Sequence, residues 1–193
     1  MTIWHWVRHG PTHEKTMVGW RDVPADLSDK EQIARLNAHL PDDALLVSSD
    51  LIRAIATADV LTHHTRNRLP HDPNLRELDF GDWDGLHAKD VSDLHPELSW
   101  AYWTTPGDIA PPNGESWNQA ARRINSAVDK LNTAYPDAHI IAVAHFGAIL
   151  TQVQRALGVG PKDAMAHKID NLSTTEIHFG KDGWQVPKIN HTP

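Results

Sequence analysis

The fold is decided by residues 138–147, which read AHIIAVAHFG in one-letter code. The uninterrupted apolar run in this stretch is typical of a strand that is buried on both faces of a sheet. A helical pattern follows from Ala148, and Gly158 is suited to the position after the last helical turn. A buried strand that leads directly into a helix indicates a parallel sheet with helices packed on it.

The same order of strand and helix occurs twice more along the chain. Residues 2–7 form a β-prone run that ends at Arg8-His9-Gly10. Residues 44–49 form a second continuous apolar run, and Asp50 after it is predicted to cap a helix over residues 51–61. If the three strands are neighbours in the sheet, their carboxyl ends lie at one edge.

Three further segments complete the predicted elements. Ser28-Asp29-Lys30-Glu31 has the pattern of a capping box and opens a helix whose apolar face is Ile33, Leu36 and Leu40. Residues 173–179 alternate and turn at Lys181-Asp182-Gly183 into residues 184–189, which predicts a hairpin. A long helix is predicted by one apolar stripe at steps of three and four: Trp117, Ala121, Ile124, Val128, Leu131 and Tyr135.

Together these elements predict an α/β fold, a three-layer sandwich with a mostly parallel central sheet flanked by helices. We expect a single domain over residues 1–193, a length that suits one core. Residues 70–114 are rich in Asp, Gly, Pro and Trp and show little sustained period. They are predicted to form an excursion of loops and short helices that covers the active site.

Composition excludes several classes of protein. The formal net charge of −7 argues against a protein that holds nucleic acid through bulk positive charge. The chain has no cysteine, so disulfides, zinc–thiolate sites and cysteine nucleophiles are excluded. No apolar run approaches the roughly 18–20 residues of a membrane span, and the first residues lack the apolar stretch of a signal peptide. We therefore expect a cytoplasmic protein.

The 14 histidines are an unusual feature that occurs in some metal-binding proteins. Their spacing does not favour a metal site, because no His-x3-His pair lies on a clear helical face. Scattered surface and loop histidines are the simpler interpretation, and no metal or other cofactor is expected.

The three strand-to-helix junctions carry the candidate chemistry. Arg8 and His9 end the first strand. Arg53 falls in the first turn of the second helix, and His145 follows the third strand. In open α/β sheets ligands bind at the carboxyl ends of the strands, where helix N-termini favour anions. Two arginines and two histidines that converge there suit a phosphoryl group, because guanidinium forks match its oxygens and an imidazole can donate or attack.

Each candidate also has a purely structural interpretation. Arg53 is equally explained as a solvated or salt-bridged helix residue, and His145 as a satisfied histidine of the core. Their shared position at strand ends is what favours a site. Among the acids of residues 75–85, Glu77 lies between two leucines and is best placed to protonate a leaving oxygen. The alternative is an acidic loop anchored by its aromatic residues.

Five blocks of sequence, in order, resemble the histidine phosphatase superfamily, the phosphoglycerate-mutase-like enzymes. Residues 7–10 (VRHG) resemble its signature, and residues 48–58 resemble its Ser-Ser-x-x-x-Arg-Ala-x-x-Thr-Ala stretch. Residues 77–85 are similar to its Glu-x-x-x-Gly-x-Trp-x-Gly block, and residues 112–116 and 143–147 resemble its last two blocks. The resemblance covers most of the chain and is far more specific than any single tripeptide.

The resemblance implies a role for each candidate residue. His9 would be the nucleophile that takes the phosphoryl group as a phosphohistidine, and Glu77 would protonate the leaving alcohol. Arg8, Arg53 and His145 would hold the phosphoryl oxygens, so two arginines and an imidazolium would do what magnesium does in other phosphoryl-transfer enzymes. This implies a metal-independent phosphatase of the histidine acid type, whose partner is a small-molecule phosphomonoester.

Three positions depart from the family pattern. The family often has Glu directly after the Arg-His-Gly tripeptide and Asn four positions further on, where this chain has Pro11 and Lys15. Phe146 stands where a small residue is common. These departures concern the orientation of the substrate more than the formation of a phosphoenzyme.

Two alternative functions use the same residues. A phosphomutase of the phosphoglycerate type has to retain the released monophosphate and exclude water, and residues 70–114 look too short and too anionic for that. A non-catalytic phosphate-binding module would lack the nucleophile or the acid, whereas His9 and Glu77 are both present. A serine hydrolase is disfavoured because Asn118 stands where an elbow around Ser116 needs a glycine.

The substrate is the least determined part of this prediction. Residues 19–28 look most like the α-ribazole-5′-phosphate phosphatases of the family, while related enzymes with the same blocks act on sugar phosphates and other monoesters. Several aromatic residues of the excursion and its flank form either its core or an apolar wall for a bulky leaving group: Trp83, Trp100, Tyr102, Trp103 and Trp117.

Overall fold

A single mixed sheet organises the part of the chain that the structure describes. This computed structural model describes residues 1–181 and 183–193. Asp182, expected in the hairpin turn, lies outside the described residues. The strands are β1 (Thr2–Arg8), β2 (Ala44–Ser48), β3 (Arg66–Arg68), β4 (His139–Ala144), β5 (Thr174–Gly180) and β6 (Gly183–His191). Their order in the sheet is β3-β2-β4-β1-β5-β6.

The first four strands run parallel, and β5 and β6 form an antiparallel edge. Both β1 and β2 pair with β4, so Ala142 has Trp6 on one side and Val47 on the other. The three strands that lead into the predicted site are therefore neighbours. The mostly parallel sheet expected from the sequence is confirmed.

Helices pack on both faces of this sheet, as the three-layer prediction requires. Two 3-10 turns, Pro73–Leu75 and Gly81–Trp83, precede the third helix. The helices of the described residues are α1 (Lys30–His39), α2 (Ile52–Val60), α3 (Ala88–Leu94), α4 (Pro96–Thr104), α5 (Trp117–Ala134), α6 (Phe146–Leu157) and α7 (Pro161–Ala164).

Side chains of β1 enter two separate layers of core. Trp4 and Trp6 stack with ring centroids 5.1 Å apart and belong to the cluster that contains the buried face of α5 and α6. Val7 belongs to the other cluster, with the buried residues of α1 and α2. The alternation follows from the period of two along a strand. It fixes β1, and with it the start of the candidate site, between two packed layers.

Residues 70–114 have a small core of their own. Trp83, Val91 and Tyr102 are buried together, and the rings of Trp83 and Tyr102 meet edge to face with centroids 5.4 Å apart. Trp83 therefore belongs to the core of the excursion, the simpler of the two roles considered for the tryptophans. Trp100 takes neither, because 68% of it is exposed.

Three helices differ from their predictions by one or two residues, two of them at the start and one in its buried face. Asp29, rather than Ser28, is the N-cap of α1, and its side chain accepts from the Gln32 N–H at 2.9 Å. In α5 the buried stripe contains Ala120 in place of Ala121. α6 begins at Phe146, so its first turn includes residues that the sequence placed before the helix.

Asp50 does not cap α2, contrary to the sequence prediction. Both of its carboxylate oxygens bind the Arg76 guanidinium, at 2.6 and 2.5 Å. The first N–H of the helix, that of Ile52, is instead satisfied by Asp22 Oδ1 at 2.7 Å. The two charge-assisted hydrogen bonds from a guanidinium are stronger than one from a backbone N–H, so the Asp50 carboxylate binds Arg76. The cap therefore comes from a distant loop that local sequence does not reveal.

Candidate active site

The carboxyl ends of β1, β2 and β4 bring candidate residues to one edge of the sheet. His9 follows β1 and donates its backbone N–H to Ala144 O at 3.1 Å. Ser49 follows β2 and donates its N–H to Val143 O, also at 3.1 Å. These bonds continue the strand ladders and fix the backbone of the site. The ring centroids of His9 and His145 are 5.1 Å apart.

The His9 ring is buried and held in one tautomer. Its Nδ1 lies 2.7 Å from Gly10 O. A carbonyl only accepts, so Nδ1 carries the proton and Nε2 has a free lone pair. Burial lowers the pKa of His9 to about 3, and the charges of Arg53 and Arg8 act in the same direction. The ring is neutral near pH 7, as a nucleophilic nitrogen must be.

Arg53 is almost fully buried, and the loop after His9 holds its guanidinium. One terminal nitrogen donates to Arg21 O at 3.0 Å and the other donates to Gly19 O at 2.7 Å. Burial lowers the pKa of Arg53, while Glu77 acts in the opposite direction. The two carbonyls set the plane of the guanidinium, which a single ammonium could not reproduce.

Arg8 reaches the site from the end of β1. One terminal nitrogen donates to Ile169 O at 2.6 Å, and the guanidinium carbon lies 5.4 Å from the centre of the Phe146 ring. Phe146, one of the three departures from the family pattern, thus contacts an arginine of the site. Of the other two, Lys15 is exposed, and the Pro11 carbonyl accepts from Asp26 N–H at 2.6 Å.

His145 is fully buried, and Ser49 holds one side of its ring. Ser49 Oγ lies 2.6 Å from His145 Nε2, and it also accepts from Leu51 N–H at 3.4 Å. When the hydroxyl proton points to Nε2, Nδ1 of His145 is the N–H donor. Burial, followed by the charge of Arg53, holds the pKa of His145 well below its usual value. The resemblance implies an imidazolium at this position, whereas burial disfavours the charged form of the ring.

Glu77 is buried against the start of α6. Its Oε1 accepts from Leu78 N–H at 3.0 Å and Ala148 N–H at 3.2 Å, and its Oε2 accepts from Gly147 N–H at 3.2 Å. Gly147 permits this approach, because a Cβ there would lie 1.8 Å from Leu78 Cδ1 and 2.6 Å from Glu77 Oε1. The carboxyl group is therefore held in one place by backbone groups and by the lack of a side chain at residue 147.

Three donor atoms near His9 are buried without a hydrogen-bond partner among the described residues: Arg8 Nε, Arg53 Nε and His145 Nδ1. Buried donors left without partners are costly. The two arginines line a cavity of about 160 Å³, which we call the polar cleft, together with His9, Thr12, Glu14, Thr16, Val18 and Glu77. The cleft therefore brings two arginines with unpartnered N–H groups to the His9 ring, and His145 adjoins that ring at 5.1 Å between centroids.

Two side chains that the sequence reasoning missed hold the backbone of Glu77. Trp20 Nε1 donates to Glu77 O at 2.8 Å, and an Arg123 terminal nitrogen donates to the same oxygen at 3.1 Å. Arg123 is itself held by a fork to Glu115, at 2.8 and 2.7 Å. Trp20 and Glu115 fall inside segments that resemble the family. The resemblance therefore indicates that these segments matter, but it does not indicate what the two side chains do.

A second cavity, of about 90 Å³, adjoins Glu77 and Gly147 on the side of the excursion. We call it the apolar cavity, since Glu77 is its one charged lining residue in the described part of the chain. Trp103 and Trp117 contribute to its wall, and their role as a wall for a leaving group stays a prediction. The remaining lining residues are Leu78, Phe80, Tyr102, Pro106, Phe146 and Met165.

Four of the histidines outside the site lie in two pairs. His5 stacks on His139 with centroids 5.4 Å apart, and the rings of His39 and His191 are 4.7 Å apart. Over residues 1–181 and 183–193, no three His, Cys, Asp or Glu side chains form a group that could hold a metal ion. In the same residues, every helix is too short or too polar to cross a membrane.

Comparison with known sequences assigns this chain to a family. The model of the Histidine phosphatase superfamily (branch 1) matches residues 5–192. The adenosylcobalamin/alpha-ribazole phosphatase of Salmonella typhimurium is 30% identical over 165 residues, which cover 81% of this chain and 80% of that protein. The bifunctional protein Rv2228c of Mycobacterium tuberculosis is 31% identical over 176 residues, 91% of this chain. The chain spans only 46% of that relative's length.

Solved structures share the fold over the whole chain. The mycobacterial glucosyl-3-phosphoglycerate phosphatase Rv2419c, solved as a complex with VO3, superposes with a TM-score of 0.85 at 28% identity. The superposition covers 98% of each chain. The α/β fold and the resemblance stated from the sequence are confirmed by these matches.

Proposed function

Because the chain belongs to the histidine phosphatase superfamily (branch 1), we propose that it hydrolyses small phosphomonoesters through a phosphohistidine formed on His9. The observation that carries the proposal is the set of buried donors without partners in the described residues, Arg8 Nε, Arg53 Nε and His145 Nδ1, beside a neutral imidazole. A bound anion would supply the hydrogen-bond acceptors that these donors lack. The free Nε2 of His9 and the adjacent carboxyl of Glu77 account for its reaction.

In the first step, His9 Nε2 attacks phosphorus and the bond between phosphorus and the ester oxygen breaks. Gly10 O keeps its hydrogen bond to Nδ1–H and stabilises the charge that the ring acquires. The two arginines and His145 donate to the non-bridging oxygens. Glu77, acting as the acid, gives its proton to the ester oxygen, so a neutral alcohol leaves.

In the second step, water attacks the phosphohistidine from the side that the alcohol has left. Glu77 is now a carboxylate and takes a proton from the water as the new oxygen–phosphorus bond forms. The nitrogen–phosphorus bond breaks, phosphate leaves, and His9 returns to its neutral form. One carboxyl group thus serves as acid and then as base at the same position.

Hydrolysis is favoured over a phosphomutase reaction by the charges of the excursion. Residues 70–114 contain two Lys or Arg side chains, Arg76 and Lys89. Arg76 is bound by Asp50 through both of its carboxylate oxygens, and Lys89 is bonded to Asp93. Neither cation is free to hold the second phosphate of a bisphosphate intermediate, which a mutase must retain.

The proposed partner is a small phosphorylated metabolite. Two of the proteins named above are, by their names, phosphatases of alpha-ribazole and of glucosyl-3-phosphoglycerate. The polar cleft of about 160 Å³ accommodates a phosphoryl group and little more. A net charge of −7 disfavours nucleic acid. The cytoplasmic location expected from the sequence stays a prediction, and so does the single-domain organisation.

The test is phosphate release from a panel of sugar, nucleotide and ribazole phosphomonoesters, with a chelator present throughout. We expect at least one class to turn over, and His9→Ala to lower that activity by about 10⁴-fold or more. His64→Ala is the matched control, because His64 is exposed and lies outside the cleft. Phosphate release by His9→Ala at the parent rate would overturn the proposal.

The same enzyme preparations separate the phosphatase from the mutase. We expect 3-phosphoglycerate with a bisphosphate primer to give phosphate, if it reacts, and little 2-phosphoglycerate. Formation of 2-phosphoglycerate faster than phosphate would assign the mutase reaction to this site instead.

A further inference from the structure

The polar cleft and the apolar cavity share one wall, and that wall is Glu77. If the proposed function holds, phosphorus lies beside His9 and the ester oxygen lies beside Glu77. The carbon atom bonded to that oxygen must then extend away from the cleft. The apolar cavity adjoins Glu77 and the neighbouring Gly147, which makes it the candidate site for the body of the leaving alcohol.

The walls of this cavity are poorly suited to a polyhydroxylated leaving group. The indole N–H of Trp117 is already bonded to Gln154 Oε1 at 2.5 Å, and Glu77 is occupied by three backbone N–H groups. A sugar ring carries several hydroxyl groups, and apart from the Tyr102 hydroxyl the buried side chains that remain would give them no partner in exchange for water. Flat apolar groups lose nothing there and gain contact with ring faces.

One polar atom at this cavity is left over. Tyr102 lines the cavity and is only 4% exposed, and its hydroxyl has no hydrogen-bond partner among the described residues. Burial raises the pKa of Tyr102, and Glu77 acts in the same direction. The hydroxyl therefore keeps its proton at every pH at which the enzyme would work, and it is available as a donor.

The size of the cavity limits what enters. Its volume is about 90 Å³, whereas a dry cavity that binds benzene has about 150 Å³. A benzene-sized ring would therefore enter only in part, and its outer half would contact the residues at the opening of the cavity. Trp103 is 42% exposed and lines the cavity, which places an indole where the outer half of such a ring would lie.

We propose that the substrate is the phosphomonoester of an alcohol that carries a flat, aromatic group close to the ester oxygen, with one hydrogen-bond acceptor that meets the Tyr102 hydroxyl. The inference rests on the proposed function and specifies its substrate class. It assigns Tyr102 and Trp103 to specificity for the leaving group, apart from the residues that bind phosphate.

The test uses three phosphates of unactivated primary alcohols: ethyl, benzyl and 4-pyridylmethyl phosphate. They have alkyl leaving groups in common and differ in the ring and in the acceptor nitrogen. For the parent enzyme we expect kcat/KM to rise about tenfold or more from ethyl to benzyl, and about fivefold again from benzyl to 4-pyridylmethyl.

Two variants assign these preferences to residues. Tyr102→Phe should bring the ratio of 4-pyridylmethyl to benzyl phosphate close to one. Trp103→Ala should lower the ratio of benzyl to ethyl phosphate. Trp100→Ala is the matched control, because Trp100 lies on the same helix, is 68% exposed and does not line the cavity. It should leave both ratios unchanged.

The outcomes separate this inference from the proposed function. If ethyl and p-nitrophenyl phosphates turn over but benzyl phosphate is no better than ethyl phosphate, the inference is overturned and the phosphatase stands. If Tyr102→Phe keeps the full preference for 4-pyridylmethyl phosphate, the assignment of Tyr102 is overturned. If no phosphomonoester is hydrolysed and no phosphohistidine forms, both are overturned.

Discussion

The polar cleft and the apolar cavity meet at Glu77, yet they are built from different parts of the molecule. The candidate residues of the cleft follow parallel strands, and backbone carbonyls or a hydroxyl fix their polar side chains: Gly10 O for His9, Arg21 O and Gly19 O for Arg53, Ser49 Oγ for His145. The cavity is lined largely by residues 77–106 and by Trp117, Phe146 and Met165, which touch through apolar surfaces.

This difference indicates how the proposed chemistry and its specificity can vary separately. The cleft depends on hydrogen bonds with strict geometry, so a small displacement of one donor is costly. The cavity depends on packing, which tolerates substitutions of similar volume. Substitutions in the cleft should therefore affect all substrates, whereas substitutions in the cavity should affect some of them.

The largest effect within this comparison is expected for Arg53→Lys. One ammonium cannot donate to Gly19 O and Arg21 O and also reach a phosphoryl oxygen. We expect kcat/KM to fall by about 10²- to 10³-fold for every substrate, because an anion donor of the site is lost. Steady-state kinetics with p-nitrophenyl and ethyl phosphate measure this.

Arg66 provides the control, since it is a buried arginine outside the cleft. It donates to the carbonyl oxygens of Leu61, Leu40 and Pro41 at 2.8 to 3.0 Å. Arg66→Lys should lower the melting temperature and leave kcat/KM of the folded protein as it was. Equal losses of kcat/KM in Arg53→Lys and Arg66→Lys would mean that both arginines only support the fold.

A smaller and selective effect is expected for Glu77→Gln. The amide keeps the shape of the carboxyl group but cannot give a proton to the ester oxygen. We expect kcat/KM for ethyl phosphate to fall by about 100-fold. Nitrophenolate leaves without a proton, so kcat/KM for p-nitrophenyl phosphate should fall by much less.

Asp82→Asn is the matched control for the acid. Asp82 is an exposed acid of the same segment, and it bonds to Asn113 at the surface. Asp82→Asn should leave kcat/KM unchanged for both ethyl phosphate and p-nitrophenyl phosphate. Equal losses on the two substrates in Glu77→Gln would remove Glu77 from the role of acid.

The smallest effect concerns stability in acid, which separates the cleft from the cavity because only the cleft holds histidines. The pKa of folded His9 is about 3, and that of an unfolded histidine is about 6.5. Between these values the unfolded chain binds a proton that the folded His9 does not, so the free energy of unfolding falls as the pH is lowered. At pH 5 the contribution of His9 to this loss is about 2 kcal/mol.

Urea unfolding at pH 7 and pH 5 measures this contribution. His9→Ala should lose less stability between the two pH values than the parent does, and His64→Ala should lose as much as the parent. His5, whose pKa burial lowers to about 4, contributes equally to all three proteins. Identical losses in His9→Ala and the parent would show that His9 is protonated in the folded protein.

The polar cleft could be predicted from the sequence because its residues adjoin recognisable strands. The apolar runs before His9, Ser49 and His145 indicate buried parallel strands, and the order of strand and helix then places their ends at one edge. Each of these inferences uses neighbours in the chain. Glu77 was found by its position between two leucines and by the family resemblance.

The contacts that complete the site could not be predicted in this way. Trp20, Arg123 and Thr57 act through backbone groups of residues far along the chain: Glu77 O for the first two, and Gly10 N–H for Thr57. The strand β3 was missed because its sequence, Arg-Asn-Arg, has no apolar pattern. It forms because Arg66 is buried under the carbonyls of a neighbouring helix and loop.

The most direct test of the central claim is to trap the phosphoenzyme. Glu77→Gln mixed with p-nitrophenyl phosphate should accumulate it, because the first step needs no acid with this substrate while the second step lacks its base. After rapid denaturation, we expect a phosphoryl group that is stable in alkali, labile in acid and located on His9 by mass spectrometry. A phosphoryl group on another residue, or turnover of the parent enzyme with no phosphoenzyme in either protein, would contradict nucleophilic attack by His9.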